Sequence, residues 1–353
     1  MPYDMITSTE QQKILAALPE RLLPWYAAHA RDLPWRADRA PYHVWLSEVM
    51  LQQTRVEAVK AYYARFLAAL PDIPALAAAA PDALAKLWEG LGYYSRVRAL
   101  QRAAQTVMTQ HGGTFPADYA AIRALPGVGD YTAGAIASIC FEQPAPAVDG
   151  NVLRVLSRLT GDERCVDDER VKRFWRAALA EVYPAGRCGD FTQALMELGA
   201  TVCLPNGAPA CAVCPMAELC PSRDGGWRAL PVRRAKKARR REELTVFLLR
   251  CGERTAVRKR AQRGLLAGLW EFPNVPGHLP PEAALAQAQA WGVQPRELER
   301  EMRRTHVFTH VEWDMRCYAI ACAGTPDGFV WADGAQLAGE IALPTAFRQF
   351  IES

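Results

Sequence analysis

The run TVCLPNGAPACAVCPMAELC, residues 201–220, sets cysteines at positions 203, 211, 214 and 220. Pro205, Pro209, Pro215 and Pro221 break helix around them, so the C-x7-C-x2-C-x5-C spacing describes a loop wrapped round one metal centre. A structural zinc usually takes two CxxC-like pairs far apart, whereas a compact quartet with a single CxxC suits a [4Fe–4S] cube. Cys203, Cys211, Cys214 and Cys220 are therefore the expected cluster ligands.

Either side of this loop the chain changes character. Upstream, apolar residues recur at three- and four-residue spacing, cut by Pro and Gly, which is a helical pattern. Downstream comes RRAKKARRR, residues 233–241, a basic block with no acid in it. Such blocks are usually solvated linkers, and attraction to phosphates is the second reading. Beyond it LTVFLLRC, TAVRKRA and HVEWDMRCYAIAC read as strands, and PEAALAQAQAW and TAFRQFIE as helices. The expected architecture is multidomain: an all-α domain over 1–228 that ends in the cysteine loop, a basic linker over 229–242, and a smaller α+β domain over 243–353.

A chain of 353 residues can build two such cores. Its opening MPYDMITSTEQQK has no apolar stretch of signal type, and no segment is apolar enough to span a bilayer. Ten cysteines then read as ligands and small apolar residues in a reducing compartment, so a cytoplasmic protein with no membrane partner is expected. The net charge is only +4 and is concentrated in the basic block.

Three segments of the helical part carry chemistry. In LPGVGDYTAGAI, residues 125–136, a helix should end at Leu125, turn through Pro126–Gly129 and restart near Tyr131. Gly127 and Gly129 permit left-handed backbone, and the free amides of the new helix suit an anion such as a DNA phosphate. This is the pattern of a helix-hairpin-helix motif. In QPAPAVDGNVLRVLSRL, Asp149 stands as N-cap before an apolar helix stripe, where the cap amides and the dipole favour its ionised form. In YHVWLSEVMLQQT, Glu48 shares a helical face with Val44, Trp45 and Leu51; a lone helical Glu is more often solvated, and in such a stripe it is either a structural oddity or a carboxyl of raised pKa kept protonated as a general acid. One protonated and one ionised carboxyl is the division of labour that cleaves glycosidic bonds.

Taken together, SEVMLQQT, GLGYYSR, LPGVGDYTAGAI, VDGNVLRVLSRL, the cysteine loop and GLLAGLWEFP resemble the adenine DNA glycosylases of the MutY type, in the helix-hairpin-helix superfamily that includes endonuclease III. The likeness runs over nearly the whole chain. It implies removal of adenine mispaired with 8-oxoguanine or guanine in double-stranded DNA, a [4Fe–4S] cluster, a C-terminal Nudix-like domain that reads the oxidised base, and action as a monomer. By resemblance, Glu48 protonates the adenine imidazole ring, Asp149 stabilises the sugar cation or a covalent intermediate, and Tyr131 and Asn151 organise the site.

Strand-nicking relatives carry a lysine where this chain has Tyr131, which has no amine for a Schiff base, so a monofunctional enzyme leaving an abasic site is implied. Gln52 and Tyr93 align with residues inserted near the lesion pair, and Arg31, Trp35 and Glu197 with residues shaping the adenine pocket. The family's Phe-Ser-His loop is here Phe308-Thr309-His310, and the family's usual six residues between the first two cysteines are here seven.

Three other readings can be set against this. A non-catalytic damage binder should lack Glu48 or Asp149. A Nudix hydrolase needs an REx2Ex2E box, where GHLPPEAALAQAQAWGV offers only Glu282. A lyase acting on oxidised pyrimidines needs the lysine that Tyr131 replaces.

Overall fold

A computed structural model describes residues 8–235 and 238–351; Lys236 and Lys237 of the basic block, and the first seven residues, lie outside the described residues. The chain divides into two compact units, one from 1–78 and 99–235, the other from 79–98 and 236–353.

The first unit is helical. Its Thr9–His29 helix starts in a capping box, with the Ser8 hydroxyl accepting from the Gln11 amide and the Gln11 side chain accepting from the Ser8 amide. Leu15, Leu18 and Leu22 of this helix pack on Val152, Val155, Leu156 and Leu159 of the Gly150–Thr160 helix and on Phe191, Leu195 and Leu198. Full burial of each such side chain is worth about 1.5–3 kcal/mol. Cys203, Cys214 and Cys220 pack against the same core, so the cysteine loop is an outgrowth of it.

The hairpin forms as its sequence predicts. Helix Tyr119–Ala124 ends with Leu125 as C-cap, and helix Asp130–Phe141 starts with Gly129 as N-cap. Only Gly127 uses left-handed backbone, at φ +76°, and a Cβ there would stand 2.5 Å from the Ala99 Cβ. Gly129, at φ −91°, needs no such freedom. The small residues that follow serve a close approach: a Cβ on Gly134 would lie 2.5 Å from the Pro146 carbonyl oxygen. The 144–149 segment therefore lies directly on the Asp130–Phe141 helix, and Asp149 and Tyr131 reach one cleft.

The second unit is built on a seven-stranded sheet of order β3-β2-β1-β6-β5, with β4 on β1 and β7 on β2. The strands are β1 (Arg240–Cys251), β2 (Arg254–Lys259), β3 (Trp270–Glu271), β4 (Asn274–Pro276), β5 (Gln294–Val307), β6 (Val311–Ala323) and β7 (Val330–Ala332). Strands β1 and β6 run parallel from Arg240↔Val311 to Arg250↔Ala321. Alternate residues of β1 feed two cores, as a period-two chain covered on both faces must. Leu244, Val246 and Leu248 join Phe347 and Phe350 on one face, and Phe247 and Leu249 join Ala284 and Ala288 of helix Pro281–Ala290 on the other. Segment 79–98 belongs to this unit: Lys86 Nζ donates to the Leu337 and Ile341 carbonyls, and Glu89 accepts from the Leu343 amide. No described helix is long and apolar enough to cross a membrane.

Candidate active site

The helical unit holds a cleft of about 850 Å³ whose lining includes Glu48, Gln52, Tyr131, Asp149, Asn151 and Glu197. Glu48 lies on the Pro41–Leu51 helix, is 6% exposed, and accepts a 2.7 Å hydrogen bond from the Tyr131 hydroxyl. Burial pushes its carboxyl up to about 7; Asp149 adds to the rise, while the Tyr131 hydrogen bond and Arg36 oppose it. Tyr131 itself is held far above the ordinary phenol range, first by burial and then by Glu48 and Asp149, so it stays neutral and can donate.

Asp149 caps the Gly150–Thr160 helix as expected. Its Oδ1 accepts from the Asn151 and Val152 amides at 2.9 and 2.8 Å, and its Oδ2 from Asn151 Nδ2 at 2.8 Å. The sequence expectation of a simply stabilised anion is only half met. Burial moves this carboxyl up as well, against the pull of the Val152 and Asn151 donors and of Arg154. The partners nevertheless separate the two acids. All three bonds to Asp149 come from N–H groups, which only an accepting carboxylate satisfies fully, whereas the Glu48 partner is a hydroxyl that can serve a protonated acid.

Arg31, Trp35 and Glu197 are all in the cleft wall. Glu197 is fully buried, and its oxygens are taken by Arg31 Nε at 2.6 Å, Arg31 Nη2 at 3.0 Å and Arg36 Nη2 at 2.7 Å. Burial alone would raise this carboxyl; the two arginines more than offset it and hold it below the usual range. Glu197 thus shapes the cleft by fixing two guanidiniums. Gln52 is the C-cap of its helix, 3.5 Å from the Thr132 hydroxyl, and Gly127 and Gly129 also line the cleft.

The four loop cysteines line one small cavity together with Val155, Leu159, Leu198, Val202 and Trp227. Four thiols converging on one cavity are a donor set that fits a [4Fe–4S] cluster. In the second unit, among the described residues, Glu243, His278 and Asp314 form one close ligand group, but its buried aspartate is already paired with Arg241 and Arg303.

The second unit has its own cavity, of about 540 Å³, with Phe308, Thr309 and His310 at the tip of the β5–β6 hairpin and Tyr93, Tyr94 and Leu265 among its lining. Phe308 meets the His306 and Trp313 rings at 4.6 and 4.8 Å, and its amide donates to the Val311 carbonyl. Tyr93 is 44% exposed, with its hydroxyl 3.2 Å from the Thr309 hydroxyl, while Tyr94 is core.

Comparison with known proteins bears on this geometry. Residues 46–179 match the HhH-GPD superfamily of base excision DNA repair proteins, and residues 245–353 match a NUDIX domain. The chain is 36% identical to the adenine DNA glycosylase of Mus musculus, over 99% of this chain and 80% of that protein. The corresponding protein of Homo sapiens is also 36% identical, over 88% of this chain and 69% of that one. The chain belongs to the adenine DNA glycosylases of the MutY type. Among solved structures, a non-covalent endonuclease III–DNA complex superimposes with a TM-score of 0.53 at 25% identity, covering 64% of this chain and all of that one. The protein is therefore a DNA-binding base excision glycosylase, a hydrolase of N-glycosyl bonds.

Several residues of the cleft and of the helix behind it escape a reading of the sequence. Arg36 and Gln193 line the cleft, and Gln53, at φ +57°, turns the chain at its rim. Arg154 donates to the Asn151 Oδ1 at 3.0 Å, the Gly199 carbonyl at 2.7 Å and the Cys203 carbonyl at 2.9 Å. Arg158 sits one turn on, with Nη1 3.4 Å from the Cys203 sulfur. Both arginines are 4% exposed, yet helical spacing puts them on the side away from the Val152, Val155, Leu156 and Leu159 stripe, so the sequence pattern alone reads them as solvated.

Proposed function

We propose that this glycosylase removes adenine paired with 8-oxoguanine, or with guanine, and leaves an abasic site without nicking the strand. The observation that carries the chemistry is the buried Glu48, titrating at about 7 against a neutral phenol in the same cleft as Asp149. Such an acid is half protonated at neutral pH, where a general acid works best. Its proton passes to the adenine imidazole ring, the C1′–N9 bond breaks with its electrons going to the base, and the sugar is left cationic. The Asp149 carboxylate, held by Asn151 and Val152, faces that cation or bonds to it until water adds at C1′, releasing Asp149 and giving its proton to the Glu48 carboxylate. Tyr131 supports a monofunctional outcome because a neutral phenol forms no Schiff base.

Phe308, Thr309 and His310 are assigned to the base opposite adenine, with Tyr93 as the wedge that offsets unstacking. Cys203, Cys211, Cys214 and Cys220 are assigned to a [4Fe–4S] cluster, which supplies a rigid anchor for the loop and takes no part in bond cleavage. Purified protein should be brown and contain about four irons per chain; colourless protein with stoichiometric zinc would overturn the assignment.

The deciding assay is single-turnover cleavage of duplexes with adenine opposite 8-oxoguanine, with and without alkali. Wild type should cut only after alkali, and Glu48→Gln should lose about two to four orders of magnitude. Strand breaks without alkali, abolished by Tyr131→Phe, would contradict the monofunctional reading.

A further inference from the structure

The basic block has no part in the chemistry above, yet its first residues are not a free linker. Arg158 Nε donates to the Leu230 carbonyl and the Val166 amide to the Val232 carbonyl, each at 3.0 Å. The Arg234 amide donates to Asp167 at 2.9 Å. So fastened, the segment sets the Arg233 guanidinium over Gly150: Nη2 lies 3.5 Å from where a Cβ on that glycine would stand. Gly150 separates Asp149 from Asn151, and both of those line the cleft.

The charge on Arg233 is poorly balanced by the protein. Its ion partner Asp167 is 3.7 Å away, the two side chains are 51% and 35% exposed, and Asp167 is already bonded to the Arg234 amide. Buried Arg154 stands close enough to repel it. The carboxylate at the start of the Gly150–Thr160 helix, Asp149, is already engaged by the Asn151 and Val152 amides and the Asn151 side chain. A weakly paired, half-exposed cation therefore lies one residue outside the carboxylate that faces the sugar.

We propose that Arg233 is a phosphate clamp for the nucleotide being excised, engaging a phosphodiester that flanks its deoxyribose and so positioning C1′ against Asp149. Arg233 is a positioning residue, and its assignment rests on the reading that Asp149 faces the sugar. The guanidinium fork suits two phosphate oxygens at once.

The test uses the full chain and a duplex with a non-hydrolysable 2′-fluoro adenosine opposite 8-oxoguanine, followed by anisotropy across a salt series. Arg233→Gln should bind about tenfold more weakly near 0.1 M salt and lower the slope of log K against log[salt] by about 0.9, one released counterion. Arg233→Lys should restore the slope. Asp167→Asn separates the clamp from a mere fold contact: a clamp keeps wild-type slope and affinity or tightens them, whereas a fold contact loses as much as Arg233→Gln.

A neutral methylphosphonate at one linkage beside the adenosine should weaken wild type and cost Arg233→Gln nothing further. An unchanged slope in Arg233→Gln, an equal loss in Asp167→Asn, or fully additive losses at both flanking linkages would each overturn the clamp. Adenine excision by wild type is measured separately on the unmodified duplex, so failure of the substrate reading cannot be confused with failure of the clamp.

Discussion

On the proposed mechanism, Glu48 is the residue at which a gain in stability would come with a loss of activity. Its pKa is raised from 4.5 to about 7, so the folded state favours the protonated acid. Its contribution is fully present below pH 4.5, and it is lost as pH rises through about 7, at a cost of about 3 kcal/mol by pH 8. Glu48→Gln, which cannot ionise, should therefore raise Tm clearly at pH 8 and only slightly at pH 5 while excision is lost. An equal Tm change at both pH values would show that the carboxyl is not buried uncharged. The Tyr131 hydroxyl favours the carboxylate, so Tyr131→Phe should push the Glu48 pKa higher. The alkaline fall in excision rate should then move to higher pH, and an unshifted or acid-shifted limb would mean the phenol does not hold the acid.

At the level of elements, the helix-hairpin-helix works through contact between backbones. Gly134→Ala would drive a Cβ to 2.5 Å from the Pro146 oxygen, which neither rigid segment can accommodate. The expected loss is about 1–3 kcal/mol, with a parallel fall in excision because 144–149 carries Asp149. Gly129→Ala meets nothing within 4 Å and should cost no more than about 1 kcal/mol. Melting curves that rank the two the other way would refute this account. The same elements show how far the sequence could be read. The turn at Pro126–Gly129, the cap at Asp149 and the central strands were legible because Gly, Asp and alternating apolar residues mark them locally. Strand β5 was not: QPRELEREMRRTHV has one buried residue, since it is an edge strand whose charges face solvent and whose partner β6 supplies the apolar face. Arg36 and Arg154 were also hidden, because Arg36 pairs with the Glu197 carboxylate and Arg154 with the Gly199 and Cys203 carbonyls, partners far away in sequence that leave no local pattern.

Across the whole molecule, the proposed reading divides the work between two separately cored units, and the division can be measured. Every group assigned to bond cleavage lies in the helical unit, while the Phe308–His310 hairpin tip and its cavity belong to the sheet unit. Phe308 packs edge-to-face against both His306 and Trp313, an arrangement suited to presenting a surface to one base. Changing Phe308 and His310 together to alanine removes that surface and leaves Glu48, Tyr131 and Asp149 untouched. The double variant should keep adenine excision opposite guanine within about threefold. Its preference for 8-oxoguanine over guanine should fall by about tenfold or more, the scale of one lost stacking and hydrogen-bonding contact to a base. The ratio of the two single-turnover rates is the quantity to follow, because partial misfolding lowers both rates together and leaves the ratio unchanged. A ratio equal to that of wild type would remove the sheet unit from lesion reading and return the discrimination to the helical unit.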